Sequence, residues 1–322
     1  MSKRVLLIGA TGRMGSHFVD ALCAKGHEVA ALVRASQEAA GPRRAQRLAV
    51  MKDKGIDVVT GELADQDLLD RLAAGVDAII SCVDHRPDHL QAQANLAVAA
   101  SRSDRVCRIV PSQFGIDSRL YGKARVEHGD VKRAMQEAFV TSGKPVTFVH
   151  TNGLAGEWVG SLGQLGLTSP PESAVEIYGN GAVPFSTVAP EDVAALVTEA
   201  LFDDRAAGRH VAIIPPDNLL TQEQLVSAWE ERTGRSLRRI TVSPAALDAR
   251  IEALAGDPAA RPRLAMAQLV RAAWIDGLGD GRRLPDVLEL TELYPQLAYV
   301  RSRDFLAYYD MAGSPAKAAG RS

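Results

Sequence analysis

The segment Gly9-Ala-Thr-Gly12-Arg-Met-Gly15 has the spacing of a turn that holds an anion. Its first two glycines permit a tight bend and bring backbone N–H groups against a pyrophosphate. The third lets the next helix pack close to the preceding strand, and the helix N-terminus adds partial positive charge. With 27 glycines in 322 residues, such spacings also arise by chance, so context decides. Here the strand-like run Arg4–Ile8 precedes the turn, a helical run from Met14 follows it, and a second apolar run spans Glu28–Val33. That second run ends in Arg34. An acid at this point would accept a ribose 2′-hydroxyl, whereas arginine pairs with a 2′-phosphate, so the chain reads as a binder of NADPH rather than NADH. Thr11, Arg13 and Met14 lie within the turn, and Arg43 and Arg44 follow downstream. These last two fit phosphate binding and ordinary surface charge equally well.

Hydride transfer also needs a group beside the nicotinamide that gives or takes a proton. Lys132 is the candidate: an ammonium held near the cofactor's positive ring has a lowered pKa and becomes a usable base. His128 stands four residues earlier on the same helical face. Taken alone, Lys132 fits a surface lysine of an amphipathic helix, and His128 a solvated residue of the first turn. Tyr121 is followed four residues on by Arg125, so the Tyr-x-x-x-Lys pair of ordinary short-chain dehydrogenases is missing.

These groups require a scaffold. Apolar runs at Arg4–Ile8, Glu28–Val33, Ile56–Thr60, Ala78–Cys82, Val106–Val110 and Val146–His150 alternate with helical stretches at Met14–Ala24, Ala45–Asp53, Asp65–Leu72, Asp88–Ala100 and Asp130–Ser142. This is the pattern of an α/β, Rossmann-type doubly wound parallel sheet, with continuous apolar strands buried on both faces. Reaction centres in such sheets lie outside the strand C-termini, which places Ser81, Val83 and Asp84, then Ser112-Gln113-Phe114, then Asn152 in the cleft. After Asn152 the pattern loosens, with Gly and Pro through 153–190, then helices near Glu191–Leu201, Gln222–Arg232 and Pro244–Leu254 and strands near His210–Ile214 and Ile240–Val242. We therefore expect a nucleotide-binding domain over 1–155, a smaller α+β substrate-binding part over 156–310 that interleaves with it, and a frayed tail over 311–322.

Composition bounds the rest. Lys and Arg total 37 against 39 Asp and Glu, so no global field gathers nucleic acid or an anionic membrane. Three cysteines without metal-ligand spacing argue against a disulfide framework and a metal site. No apolar run approaches a membrane span. A cytoplasmic protein is expected.

The chain resembles the NmrA-like, isoflavone-reductase-like branch of atypical short-chain dehydrogenases, which includes phenylcoumaran benzylic ether reductases and pinoresinol/lariciresinol reductases. Matching segments run in order: the glycine turn, Ala31-Leu-Val-Arg34, Gly55–Leu63, Val76–Ser81, Pro111-Ser-Gln-Phe-Gly115, Lys132 eleven residues before Gly143, Pro145–Val149 and Thr151–Gly156. Gly179-Asn-Gly181 and Glu292-Leu-Tyr-Pro295 fall in the family's substrate part. The resemblance implies an NADPH-dependent reductase of a small aromatic, lignan- or isoflavonoid-like substrate, and a homodimer. Lys132 would take a phenolic proton, a benzylic C–O bond would open to a quinone methide, and hydride would add at the benzylic carbon. It also implies that Phe114, Gly153, Leu154, Trp158 and Tyr178, with the loop through 169–183, line the substrate site. Gln113 stands where the family carries an acid, and Glu127-His-Gly-Asp130 and Glu157 stand where it carries aromatics. A quinone or enone reductase, a non-enzymatic NADP-sensing regulator and a cofactor-retaining epimerase remain alternatives.

Overall fold

The computed structural model describes residues 2–34, 41–122, 126–281 and 284–309. The expected tail, and Arg125, lie outside them. The first strands and helices follow one another as β1 (Arg4–Ile8), α1 (Arg13–Ala24), β2 (Glu28–Val33), α2 (Pro42–Asp53), β3 (Asp57–Thr60), α3 (Gln66–Ala74), β4 (Ala78–Ser81), α4 (Pro87–Ala92), α5 (Ala94–Arg102) and β5 (Arg108–Val110). The strands form one parallel sheet in the order β3-β2-β1-β4-β5.

Period-two alternation divides each strand between two cores. Val5, Leu7, Ala31 and Ile80 pack with Phe18 and Leu22 of α1 on one face. Leu6, Ile8, Leu32 and Ile79 pack with Leu69, Leu96 and Phe139 on the other. The stretch expected as one helix over Asp88–Ala100 is two, α4 and α5, separated at Gln93. The Gln93 side chain is fully buried and its amide oxygen accepts the backbone N–H of Ser112, tying this break to the loop after β5.

The sheet does not end at β5. After α6 (Glu127–Thr141), Val146 bridges to Ile109 in parallel sense and leads into β6 (Phe148–His150). Short β7 (Gly153–Leu154) and α7 (Ala155–Trp158) come next, then β8 (Ala174–Tyr178), β9 (Pro184–Val188), α8 (Pro190–Ala200) and β10 (His210–Ala212). β10 lies parallel beside β6, and α8 packs on α1. Residues beyond 155 thus return to the nucleotide-binding sheet and cover one of its faces. β11 (Leu219–Thr221) runs antiparallel to β9, and α9 (Gln222–Thr233) starts with a capping box between Thr221 and Gln224. β12 (Arg238–Val242) pairs with β8; α10 (Pro244–Ala255) and α11 (Arg261–Val270) lead to a π-helical turn, Arg271–Ile275. β13 (Leu288–Glu289) adds to the far side of β10, followed by α12 (Leu290–Leu293) and α13 (Ser302–Phe305). Among the described residues, no helix is long and apolar enough to cross a membrane.

Helix α6 departs from the usual amphipathic pattern. Its buried residues are His128, Gly129, Lys132, Gln136 and Phe139, so three polar side chains at i, i+4 and i+8 face inward. A Cβ on Gly129 would come within 2.5 Å of the Tyr121 ring, so glycine lets this helix seat closely. Leu7, fully buried at the sheet centre, offers a check on the core: Leu7→Ala is expected to cost about 2–5 kcal/mol, read as a lower denaturant midpoint.

Candidate active site

The glycine turn takes its shape from close backbone approach. Gly9 has φ 78°, Gly12 N–H donates to the Gly9 carbonyl at 2.8 Å, and a Cβ on Gly15 would fall 2.1 Å from that carbonyl oxygen. Gly12 caps α1 without a side-chain hydrogen bond, so the helix N-terminus keeps its first N–H groups for a ligand. A cavity of about 690 Å³ opens beside it at the ends of β1, β2 and β4, with Gly9, Thr11, Gly12, Arg34, Arg44 and Val83 in its wall.

Arg34 lines this cavity. Arg43 does not: it is exposed and lines a neighbouring pocket with Asp20 and Arg47. One residue of helical phase turns Arg44 inward instead. Arg44 is buried, and its guanidinium donates to Thr11 Oγ1 at 3.0 Å and to the Arg34 carbonyl at 3.3 Å. Ser81, the last residue of β4, is fully buried and lines neither this cavity nor the next.

A second cavity of about 240 Å³ shares Gly12, Cys82, Val83 and Asp84 with the first. Its wall brings together Arg13, Met14, Ser112, Phe114, His128, Lys132, Asn152, Leu154 and Trp158. Lys132 is 4% exposed, and its Nζ donates to the Phe114 carbonyl at 2.6 Å. Burial disfavours the ammonium and lowers its pKa to about 8, with Asp117 partly opposing the shift. His128 is equally buried; desolvation, then Lys132 and His85, push it down to about 3, so it is neutral at working pH. Tyr121 also reaches this wall, and burial raises its pKa, keeping its phenol protonated.

Asn152 sits at φ 52°, its backbone N–H donating to the Gly115 carbonyl at 3.0 Å. Both polar atoms of its buried amide lack a partner among the described residues. Orphaned donors and acceptors in a cavity wall are costly unless a ligand satisfies them. Together with the uncapped helix and the Arg34–Arg44 pair, they fit a pyridine dinucleotide phosphate laid across both cavities. Ser112 is fixed by donating its hydroxyl to the Val83 carbonyl at 2.7 Å.

Four further expectations need correction. Gln113 is buried outside the cavity wall, and its amide donates to the Lys132 carbonyl at 3.1 Å while accepting from Gln136 at 3.3 Å; it anchors α6 instead of touching a ligand. Gly153 stands behind the wall, where a Cβ would press within 2.4 Å of Phe185 and 2.8 Å of Trp158. Tyr178 is fully buried in a side core with Trp158, Phe185 and Trp274, its hydroxyl 2.9 Å from Glu176. The loop 169–183 contributes nothing to the cavity. Leu269 of α11 and Glu157 of α7 do, the latter paired with Arg13 across the mouth. Leu269 lies far along the chain, beyond any local signal; Glu157 was visible only as a charge where an aromatic was expected.

Behind Lys132, Asp117 accepts two-pronged contacts from Arg119 and lies 3.2 Å from His150 Nε2, which is 3.0 Å from His210 Nδ1. Arg119 balances the charge of Asp117, and burial lowers the pKa of both histidines.

A glycine turn opening a helix, beside a cavity under parallel strand ends, defines a dinucleotide-binding protein of the Rossmann class. The chain belongs to the NmrA-like family, whose profile matches residues 1–276. It is 31% identical over 326 residues to a bifunctional pinoresinol-lariciresinol reductase of Linum perenne, covering 95% of this chain and 98% of that one. Among solved structures, AtPrR2 with NADP+ and (+)-pinoresinol superposes with a TM-score of 0.86 at 30% identity, covering 95% and 98% of the two chains. The leucoanthocyanidin reductase–NADPH complex from Vitis vinifera gives 0.85 at 25% identity, covering 94% and 98%.

The electrostatics of Lys132 can be tested directly. In the dimethylated protein, its NMR signal should titrate near pH 8, well below the ordinary lysine value of 10.5. Asp117→Asn removes the opposing charge and should move that transition lower still; a midpoint near 10.5 would contradict burial as the cause.

Proposed function

We propose that the protein is an NADPH-dependent reductase of a phenolic aromatic substrate, acting on a benzylic ether of the pinoresinol type. The observation that carries this reading is the buried Lys132 amine, held on the Phe114 carbonyl in a cavity that shares Gly12, Cys82, Val83 and Asp84 with the nucleotide cleft. The likeness to a pinoresinol-lariciresinol reductase over nearly the whole chain supports the substrate class.

The residues divide the work. Gly9, Gly12 and the start of α1 would hold the pyrophosphate, Arg34 and Arg44 the 2′-phosphate, and Asn152 and Ser112 the nicotinamide end. Bound there, NADPH supplies a hydride. Burial, by lowering the Lys132 pKa, brings its free amine within reach near neutral pH. That amine keeps an N–H on the Phe114 carbonyl and offers its lone pair to a phenolic proton. Removing the proton lets electron density push out the para benzylic oxygen: the C–O bond breaks, a quinone methide forms and the departing alkoxide takes a proton from solvent. Hydride addition at the benzylic carbon then restores the aromatic ring as a phenolate, which the Lys132 ammonium reprotonates. A neutral His128 can hydrogen-bond substrate without competing for the base's charge. Trp158, Leu154 and Phe114 exclude water from one side, which keeps the amine's pKa low.

We infer a homodimer from the family resemblance, to be measured by light scattering. A reducing, cytoplasmic setting is supported by Cys23, Cys82 and Cys107, all free thiols.

The direct experiment measures NADPH consumption, with product identification, over racemic pinoresinol, phenylcoumarans, isoflavones and quinones. Turnover of quinones alone would refute the ether reading. Lys132→Ala should retain NADPH binding and lose about 10²–10⁴-fold in kcat. The wild-type kcat/KM should rise with pH and level off above about pH 8, since the deprotonated amine is the working form. Arg34→Glu should weaken NADPH far more than NADH.

A further inference from the structure

Arg34 follows the end of β2 with a long, flexible side chain, yet its guanidinium occupies a defined place on the 690 Å³ cavity. The group that meets it comes from across the cleft. His89, the third residue of α4, places Nε2 3.0 Å from Arg34 Nη1. A guanidinium only donates, so Nε2 must accept, and the imidazole proton is then on Nδ1. Nδ1 lies 2.9 Å from Asp84 Oδ1, in contact with the carboxylate. The result is a carboxylate–imidazole–guanidinium chain running from the end of β4 to the end of β2. Arg86 closes the box from outside: its Nε lies 3.2 Å from both Asp84 oxygens and its Nη2 lies 2.6 Å from His89 Nε2, so Arg34 and Arg86 share that one acceptor. Asp84, His89 and Arg34 all line the same cavity.

We propose that His89 is a positioning residue for coenzyme choice, holding Arg34 in the orientation that meets a 2′-phosphate. This rests on the reading of the cavity as the NADPH site and adds a second source of selectivity, in the loop after β4. The mechanism is preorganisation. Free arginine side chains lose rotamer freedom when they grip a phosphate, and a partner that has already ordered the side chain removes that loss from binding. A coenzyme lacking the 2′-phosphate gains nothing from the ordering. The imidazole suits the task because it accepts on one nitrogen and is itself oriented through the other.

The test uses the full-length protein and the Kd of NADPH and NADH, read by quenching of intrinsic fluorescence. His89→Ala should raise the NADPH Kd about 3- to 10-fold and leave NADH within 2-fold, so NADH binding also reports that the variant is folded. His89→Gln should restore most of the NADPH affinity, because its amide oxygen can accept from Arg34 as the imidazole does. In an Arg34→Ala background, His89→Ala should add no further loss. Unchanged NADPH affinity in His89→Ala overturns the proposal, as does equal weakening of both coenzymes. A full loss persisting without Arg34 also overturns it, since His89 would then touch the phosphate directly. If Arg34→Ala alone weakens both coenzymes equally, the assignment of the 2′-phosphate pocket fails, and the proposal with it; that result is distinct from failure of His89 alone.

Discussion

Keeping an amine out of water is the constraint on which this site depends. A lysine on a helix normally extends to solvent, and burying its charge without compensation costs several kcal/mol. Helix α6 instead turns His128, Lys132 and Gln136 inward together. The surroundings make that tolerable. Gln113 grips the Lys132 carbonyl, the Phe114 carbonyl receives the amine, Gly129 removes the side chain that would hold the helix off Tyr121, and Asp117 supplies distant negative charge. The compensation is partial, and the residue of uncompensated cost appears as basicity brought down toward neutrality.

The same economy of parts governs the cleft. Gly12, Cys82, Val83 and Asp84 border both cavities, so one short ridge separates nucleotide from reaction space. Its rigidity comes from backbone contacts: Ser112 donates to the Val83 carbonyl while Gln93, at the break between α4 and α5, accepts from the Ser112 backbone. A side chain that interrupts a helix therefore also fixes the loop after the next strand, β5.

Local pattern made much of this readable. β1 and β2 begin and end where the apolar runs do, because strands buried on both faces have continuous apolar sequence and abrupt polar ends. The glycine turn was legible because only glycine tolerates its contacts. Arg43 and Arg44 could not be separated, since adjacent residues differ by 100° of helical phase and the helix's start at Pro42 set which one points inward. Tyr178 carries the same aromatic character as Trp158, yet the pairing of β8 with β12 places it inside a side core. Gln113 sits at the right strand end but spends its amide on α6, an orientation that motif order does not encode. Leu269 and the Asp84–His89–Arg34 chain arise from contacts between separate segments, which only the assembled fold reveals.

The late strands carry a consequence for biosynthesis. β6 meets its outer neighbour β10 only about sixty residues later, and β10 meets β13 only when residue 288 arrives. As the chain leaves the ribosome, the motifs for nucleotide binding and proton transfer are complete by Asn152, but the sheet carrying them still has an unpaired edge and lacks the cover that α8 gives α1. Domains generally mature as units during synthesis, and pairings between distant segments are slow to form. The nascent enzyme thus passes through an interval in which its chemistry is written but its edge is open to other chains, and closure falls to a segment that contributes little to the reaction.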